Sequence, residues 1–207
     1  TKHLLCIYES YLQSLNLLVE EGFDYDLLNI NEEHIEYNNF KAKHIVFAEG
    51  FGMRSNPFFN YLPLDGTKGE LFIIKAPNLN LDVIINTSVF ILPLGNDLFK
   101  IGATYHWEDK TNNPTEAGKL ELLERIREIL NCDFEIVEHV AGVRPTVRDR
   151  RPLLGSNPKH KNLHILNGLG TRGVMLAPSM ALDLFNFIEN NKPLDKSIDI
   201  KRYATLF

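Results

Sequence analysis

Two glycine turns and one arginine are the places in this sequence where residue type and spacing suggest chemistry. Gly168-Leu169-Gly170-Thr171-Arg172-Gly173 reads G-x-G-x-x-G, after the apolar run 162–166 and before a helix-like segment over 174–190. Glycines in that spacing let a chain turn sharply and let a ligand lie close to the backbone. The helix start beyond them offers unpaired N–H groups and a positive dipole end to an anion or a carbonyl oxygen. A dinucleotide fold that began here would need a further strand and an acidic residue about 20 positions on. Only 34 residues follow Gly173, so this turn is not the opening unit of such a fold. Gly50-Phe51-Gly52 with Ser55 is a partial second match after the apolar run 44–48. Pro57 argues against a helix after it, and the residues alone read as a turn at a strand end.

Arg144 ends an apolar stretch, just before Pro145. A guanidinium presents a planar fork that grips a carboxylate at two points, although a salt bridge within the protein would use the same geometry. Arg148, Arg150 and Arg151 with Asp149 look like a solvated or self-paired run, and no aromatic is interleaved to suggest nucleic acid. His106 and Trp107 fit either a pocket mouth or a plain hairpin end. The histidines show no H-x-H pair, so a metal site is not expected. No serine sits in a G-x-S-x-G elbow. Cys6 and Cys132 match no metal spacing and read as buried apolar thiols.

The elements that must position these groups follow from periodicity. A helix is expected over 8–21, ended by Gly22, then short β runs at 25–31 and 34–37 and a buried strand at 44–48. Strands are expected at 69–75, 81–86, 88–94, 98–104 and 134–143, with Gly95-Asn96-Asp97 as a tight turn. An amphipathic helix begins at Pro114 and runs to about 131, and a last strand lies at 162–166. The ends are thus α/β and the middle is an antiparallel block.

Across 207 residues, apolar types make up 44% and charged types 24%, the balance of a folded globular chain. The longest apolar runs are four or five residues, far short of a membrane span. With 22 Lys and Arg against 27 Asp and Glu the net charge is −5, which gives no global pull on phosphate, and no nucleic-acid partner is expected. No targeting segment is legible, which leads to the expectation of a cytoplasmic protein. The chain opens at Thr1, without Met, straight into Leu4-Leu5-Cys6-Ile7, as a piece of a longer protein would.

Seven segments in order resemble one family: His44-Ile45-Val46-Phe47-Ala48-Glu49-Gly50, Lys68-Gly69-Glu70, Phe90-Ile91-Leu92-Pro93, Ile101-Gly102-Ala103-Thr104, Ala141-Gly142-Val143-Arg144-Pro145-Thr146, Asp149-Arg150-Arg151-Pro152-Leu153-Leu154-Gly155, and the 167–173 turn. The resemblance, over about residues 8–190, is to the C-terminal, substrate-side portion of the FAD-dependent D-amino-acid oxidase and glycine oxidase family. It implies an antiparallel substrate sheet with flanking helices over 58–145. Parts of an α/β FAD-binding domain would lie over 1–57 and 146–207, with that domain's N-terminal βαβ unit missing. It also implies that the 207-residue chain alone holds FAD weakly, since the anchors for the diphosphate and adenosine would precede Thr1.

By the same resemblance, Arg144 grips the substrate carboxylate, with Phe90 and His106 beside it. Gly50, Gly168, Gly170, Thr171, Arg172, Gly173 and Val174 border the flavin. The helix start there favours the negative charge of the reduced cofactor. No side chain need act as a base, because the chemistry is hydride transfer to flavin with the protein supplying position and electrostatics. The sequence departs from the family at Phe90, where some members place a tyrosine, and at Glu49, where a small residue is usual. The expected partner is a small carboxylate or amine substrate, and a homodimer is compatible with this reading. Oxidation of a 2-hydroxy acid and a non-catalytic binding module on the same fold stand as rivals.

Overall fold

The computed structural model describes residues 2–207. Helix α1 (Lys2–Ser14) opens the chain, followed by β1 (Leu28–Ile30), β2 (Ile35–Tyr37), β3 (Phe40–Ala42) and β4 (Ile45–Phe47). Strands β5 (Thr67–Lys75), β6 (Ile85–Asn86), β7 (Phe90–Gly95) and β8 (Leu98–Gly102) precede helix α2 (Glu116–Arg127) and the long β9 (Glu135–Arg144). Then come β10 (Leu153–Ser156), β11 (Leu163–Asn167) and helix α3 (Gly173–Asn190). Short 3-10 helices cover Tyr25–Leu27, Gly50–Ser55, Gly170–Arg172 and Ile200–Leu206.

The chain divides into two compact units, one from the residues up to Leu62 with Arg151–Phe207, the other Pro63–Arg150. The expected seams fell at 57/58 and 145/146. In the second unit the sheet runs β6-β7-β8-β5-β9, antiparallel throughout. Alternation along β5 sends Phe72 and Ile74 to one face, where they pack with Ile91, Phe99, Ile101, Leu122 and Ile126 in a core under α2. Thr115 caps α2 by accepting from Gly118 N (3.0 Å). Pro114 therefore stands outside the helix rather than at its first position.

In the first unit β11 lies between β10, antiparallel, and β4, parallel, with Ile165 opposite Phe47. Leu154, Leu184, Leu194 and Ile198 form its core cluster with α3. A separate antiparallel sheet joins β1, β2 and β3.

Several expectations need correction. The first helix ends at Ser14, not near residue 21. Asn16 adopts φ +54°, and Leu17 N donates to Leu12 O (2.9 Å), so a left-handed asparagine closes the helix before Gly22 is reached. A helix does follow the Gly50 turn: six residues suffice for the 3-10 segment Gly50–Ser55, and it stops at Asn56, extended as a residue before proline must be. Strands β3 and β10 and the 3-10 helix Ile200–Leu206 escaped the sequence reading because each is short and without a period of its own. Cys6 is exposed rather than buried, and Cys132 is half-buried against the second unit's core.

Candidate functional site

In the first unit, β4 and β11 are parallel neighbours, so the turns after them emerge side by side at the strands' C-terminal ends, where α/β sheets bind ligands. Asn167 ties the two turns together. Its Nδ2 donates to Gly50 O (2.8 Å) and its Oδ1 accepts from Gly168 N (2.8 Å). Gly50 (φ +57°) and Gly170 (φ +55°) hold left-handed conformations, and a Cβ on either would meet nothing within 4 Å. Both backbones therefore border open space. Gly173 differs: it is the first residue of α3, with ordinary helical φ of −54°, so its own backbone does not demand glycine. Arg172 lends α3 no side-chain cap, and no acidic residue lies in the first turn. The N–H groups of Gly173, Val174 and their neighbours thus face outward without a side-chain acceptor. Thr171 and Arg172 stand in the 3-10 turn between, both exposed. A cradle with bare glycine backbone and a helix start without an acidic residue in its first turn fits the carbonyl chemistry of the flavin end of FAD.

Glu49 is held on both oxygens, by Tyr25 Oη at Oε1 and by Asn56 Nδ2 at Oε2 (2.7 Å). Burial first, and then the hydrogen bond to Glu49 and its charge, push the Tyr25 phenol well above its ordinary range. The glutamate that departs from the family pattern is thus a latch between the start of the first unit's small sheet and the Gly50 turn.

In the second unit, β5 presents two chemically different faces. On the α2 side, Lys68 and Glu70 are each only 1% exposed. Lys68 Nζ reaches Asp109 Oδ2 and Asn113 O (both 2.5 Å), with Glu70 Oε1 at 3.6 Å. Glu70 accepts from Thr115 N (2.9 Å) and Thr115 Oγ1 (2.8 Å). His139 Nε2 lies 2.8 Å from Glu70 Oε2 without hydrogen-bond alignment. Burial pushes the Glu70 carboxyl up, but the Thr115 bonds and the charges of Lys68 and His139 outweigh it and hold it below its ordinary value. The hydrogen bond from Lys68, and then those of Thr111, hold Asp109 far below the usual carboxylate range. Lys68 and Glu70 are both hydrogen-bonded, and through Thr115 the cluster anchors the start of α2.

The other face carries Gly69, Gly142 and Arg144, with Leu71, Gly102 and Phe90 in register beside them. Phe90 packs over Gly102, where a Cβ would stand 3.3 Å from its Cε1. The Arg144 guanidinium lies 5.7 Å from the Tyr105 ring. Its Nη1 is buried and has no hydrogen-bond partner among the described residues. Burial lowers the pKa of Arg144 from its ordinary value, offset in part by Tyr105, yet a guanidinium stays protonated. A buried N–H without an acceptor is costly, which singles this group out as one waiting for an anion.

Register brings Phe90 and Arg144 to one face. His106 is not with them. Its backbone pairs with Lys68, which turns its side chain to the α2 side, where Nε2 meets Glu121 Oε2 (2.9 Å). Tyr105, one residue earlier, is the neighbour of Arg144 that sequence reasoning missed; the alternation of an extended chain was the available signal. Arg148 pairs with Asp65 (3.0 Å) and is largely exposed. Among the described residues no cluster of three His, Cys, Asp or Glu could hold a metal, and no helix is long and apolar enough to cross a membrane.

The class these features define is a flavin-dependent oxidoreductase fold. The family described as FAD dependent oxidoreductase (DAO) matches residues 21–185, and the chain belongs to that family, whose cofactor is FAD. It is 24% identical over 158 residues to the glycine oxidase of Bacillus subtilis strain 168, covering 73% of this chain and 42% of the relative. It is 26% identical over 180 residues to a tRNA 5-methylaminomethyl-2-thiouridine biosynthesis bifunctional protein of Marinobacter nauticus, covering 77% of this chain and 28% of that one. The solved iminodiacetate oxidase from Chelativorans sp. BNC1 shares the fold, with TM-score 0.69, 23% identity, 85% of this chain and 51% of that chain. The chain thus spans less than half of the length of these curated relatives.

Proposed function

We propose that the protein oxidises the C–N bond of a small amino acid or amine that carries a carboxylate. The carrying observation is Arg144, whose buried Nη1 has no partner among the described residues. Bound FAD supplies the acceptor for the substrate's hydride, and water hydrolyses the imine left behind. Arg144 receives the carboxylate through two parallel N–H groups, which fixes the adjacent carbon in one orientation. Phe90 adds an apolar wall on the same face and, lacking a hydroxyl, no further polar hold. In the other unit, Gly50, Gly168 and Gly170 keep the backbone open to the cofactor. The N–H groups of Gly173 and Val174 offer positive potential to its electron-rich end. No side chain is assigned as acid or base. Relatives named for glycine and iminodiacetate, both amines beside a carboxylate, support this substrate class.

The test is Arg144→Lys in the intact, flavin-loaded protein with glycine and iminodiacetate as substrates. Lysine cannot present the two-point fork, so kcat/KM falls by about one to two decades, equivalent to roughly 1.5–3 kcal/mol. Kinetics equal to the wild type on both substrates would return Arg144 to a structural role.

A further inference from the structure

Gly69 lies in the middle of β5, on the face that carries Arg144. Its φ is outside the left-handed region, so the backbone conformation does not call for glycine. The demand comes from a neighbour. A Cβ built there would lie 2.1 Å from Arg144 Nη2, 2.3 Å from Nη1 and 2.4 Å from Cζ, and these are its three nearest heavy atoms. The guanidinium therefore occupies the volume that any other residue's side chain would fill. A strand interior disfavours glycine, so its presence there has a packing reason.

We propose that Gly69 is a positioning residue: by lacking a side chain it seats the Arg144 guanidinium against the strand in the place where it meets the substrate carboxylate. This rests on the reading of Arg144 as the carboxylate grip. Gly118 on α2 shows the contrasting case. A Cβ there would lie 2.5 Å from Glu70 Cδ, but that carboxylate is fixed by Thr115 and cannot yield. The Arg144 guanidinium sits at the end of a flexible chain, and its Nη1 is tied to nothing among the described residues. A methyl group at 69 therefore displaces the guanidinium rather than the strand.

The experiment titrates propionate, with propionamide as the uncharged control, into the intact flavin-loaded protein and follows the flavin absorbance. Gly69→Ala keeps its flavin content and its propionamide response, and its Kd for propionate rises by about 10- to 100-fold, the range for losing a charge-assisted two-point contact. Arg144→Ala shows a similar loss, and the double variant is no weaker than Arg144→Ala alone, because both changes act through one group. Wild-type propionate affinity in Gly69→Ala, with Arg144→Ala weakened, would overturn the role of Gly69 and leave the Arg144 reading standing. Wild-type affinity in Arg144→Ala would overturn the carboxylate reading and the Gly69 proposal with it. Should Gly69→Ala fail to fold, adding Arg144→Ala must recover a folded protein, since the clashing group is gone. A double variant that stays unfolded would overturn the proposal.

Discussion

The two faces of β5 handle buried charge in opposite ways. Toward α2, Lys68 and Glu70 are enclosed and both are hydrogen-bonded, Lys68 to Asp109, Asn113 and Thr111 and Glu70 to Thr115. Toward the other side, Arg144 keeps a buried N–H without one among the described residues. A satisfied cluster holds structure together, and an unsatisfied cation holds free energy in reserve for a ligand. Neighbouring positions on β5, Lys68 and Gly69, thus face the two sides, and the alternation of side chains keeps the two roles from mixing.

The largest effect tests the satisfied side. Glu70→Ala removes the acceptor for Thr115 and takes from Lys68 one of its two carboxylate neighbours. Breaking a buried ion pair in this way costs about 3–5 kcal/mol, read as a lower urea midpoint. Arg144→Ala, by contrast, removes a half-buried cation with one buried, unpartnered N–H, and its urea midpoint stays at or above that of the wild type. A large loss of stability in Arg144→Ala would break the comparison. The acid limb sharpens it. Glu70 and Asp109 have folded pKa values held below their ordinary ones, so their contribution is complete above about pH 4.5 and is lost as pH falls through the lowered folded values.

The first unit shows a third treatment of a buried ionisable group, and its expected effect is intermediate. His164 is 3% exposed, bonded to Ser156 Oγ (2.9 Å) and His44 Nδ1 (3.1 Å). Burial first, and then His44, push its pKa down to about 4 from 6.5. The unfolded chain takes up this proton first, so stability is complete above about pH 6.5 and declines as pH falls toward 4. Unfolding midpoints measured between pH 7 and 4.5 should show this decline, and His164→Asn should flatten it. A wild-type midpoint that does not move over this interval would contradict the neutral, buried histidine.

The smallest effect concerns His106. Its pairing with Glu121 is partly exposed, at 47% and 26%, and such pairs are worth about 0–1 kcal/mol. His106→Ala should shift the urea midpoint little and leave the KM for glycine and iminodiacetate unchanged. A raised KM would place His106 with Arg144 after all and undo the separation of the faces.

Much of the site was legible in local sequence, and the rest was not, for identifiable reasons. The strand at 44–48, the central strands, the helix beginning near 174 and the glycine turns stand out because composition and period are local properties. Arg144 and Phe90 were legible as candidates because motif order survives in one dimension. Faces are another matter. His106 and Arg144 look alike as polar residues near strand ends, and only the pairing of His106 with Lys68 shows that their side chains point apart.

By itself the sequence determined the α/β ends, the antiparallel middle, the family resemblance and the candidate arginine, since each follows from residue type and spacing along the chain. Tertiary structure alone decided that β4 and β11 lie parallel and bring Gly50 beside Gly168. It alone decided that Gly69 must be bare because Arg144 fills its side-chain volume. The physical reason is that pairing and close contact join residues dozens of positions apart. Periodicity reports which side of an element is apolar, but not which partner that side will meet.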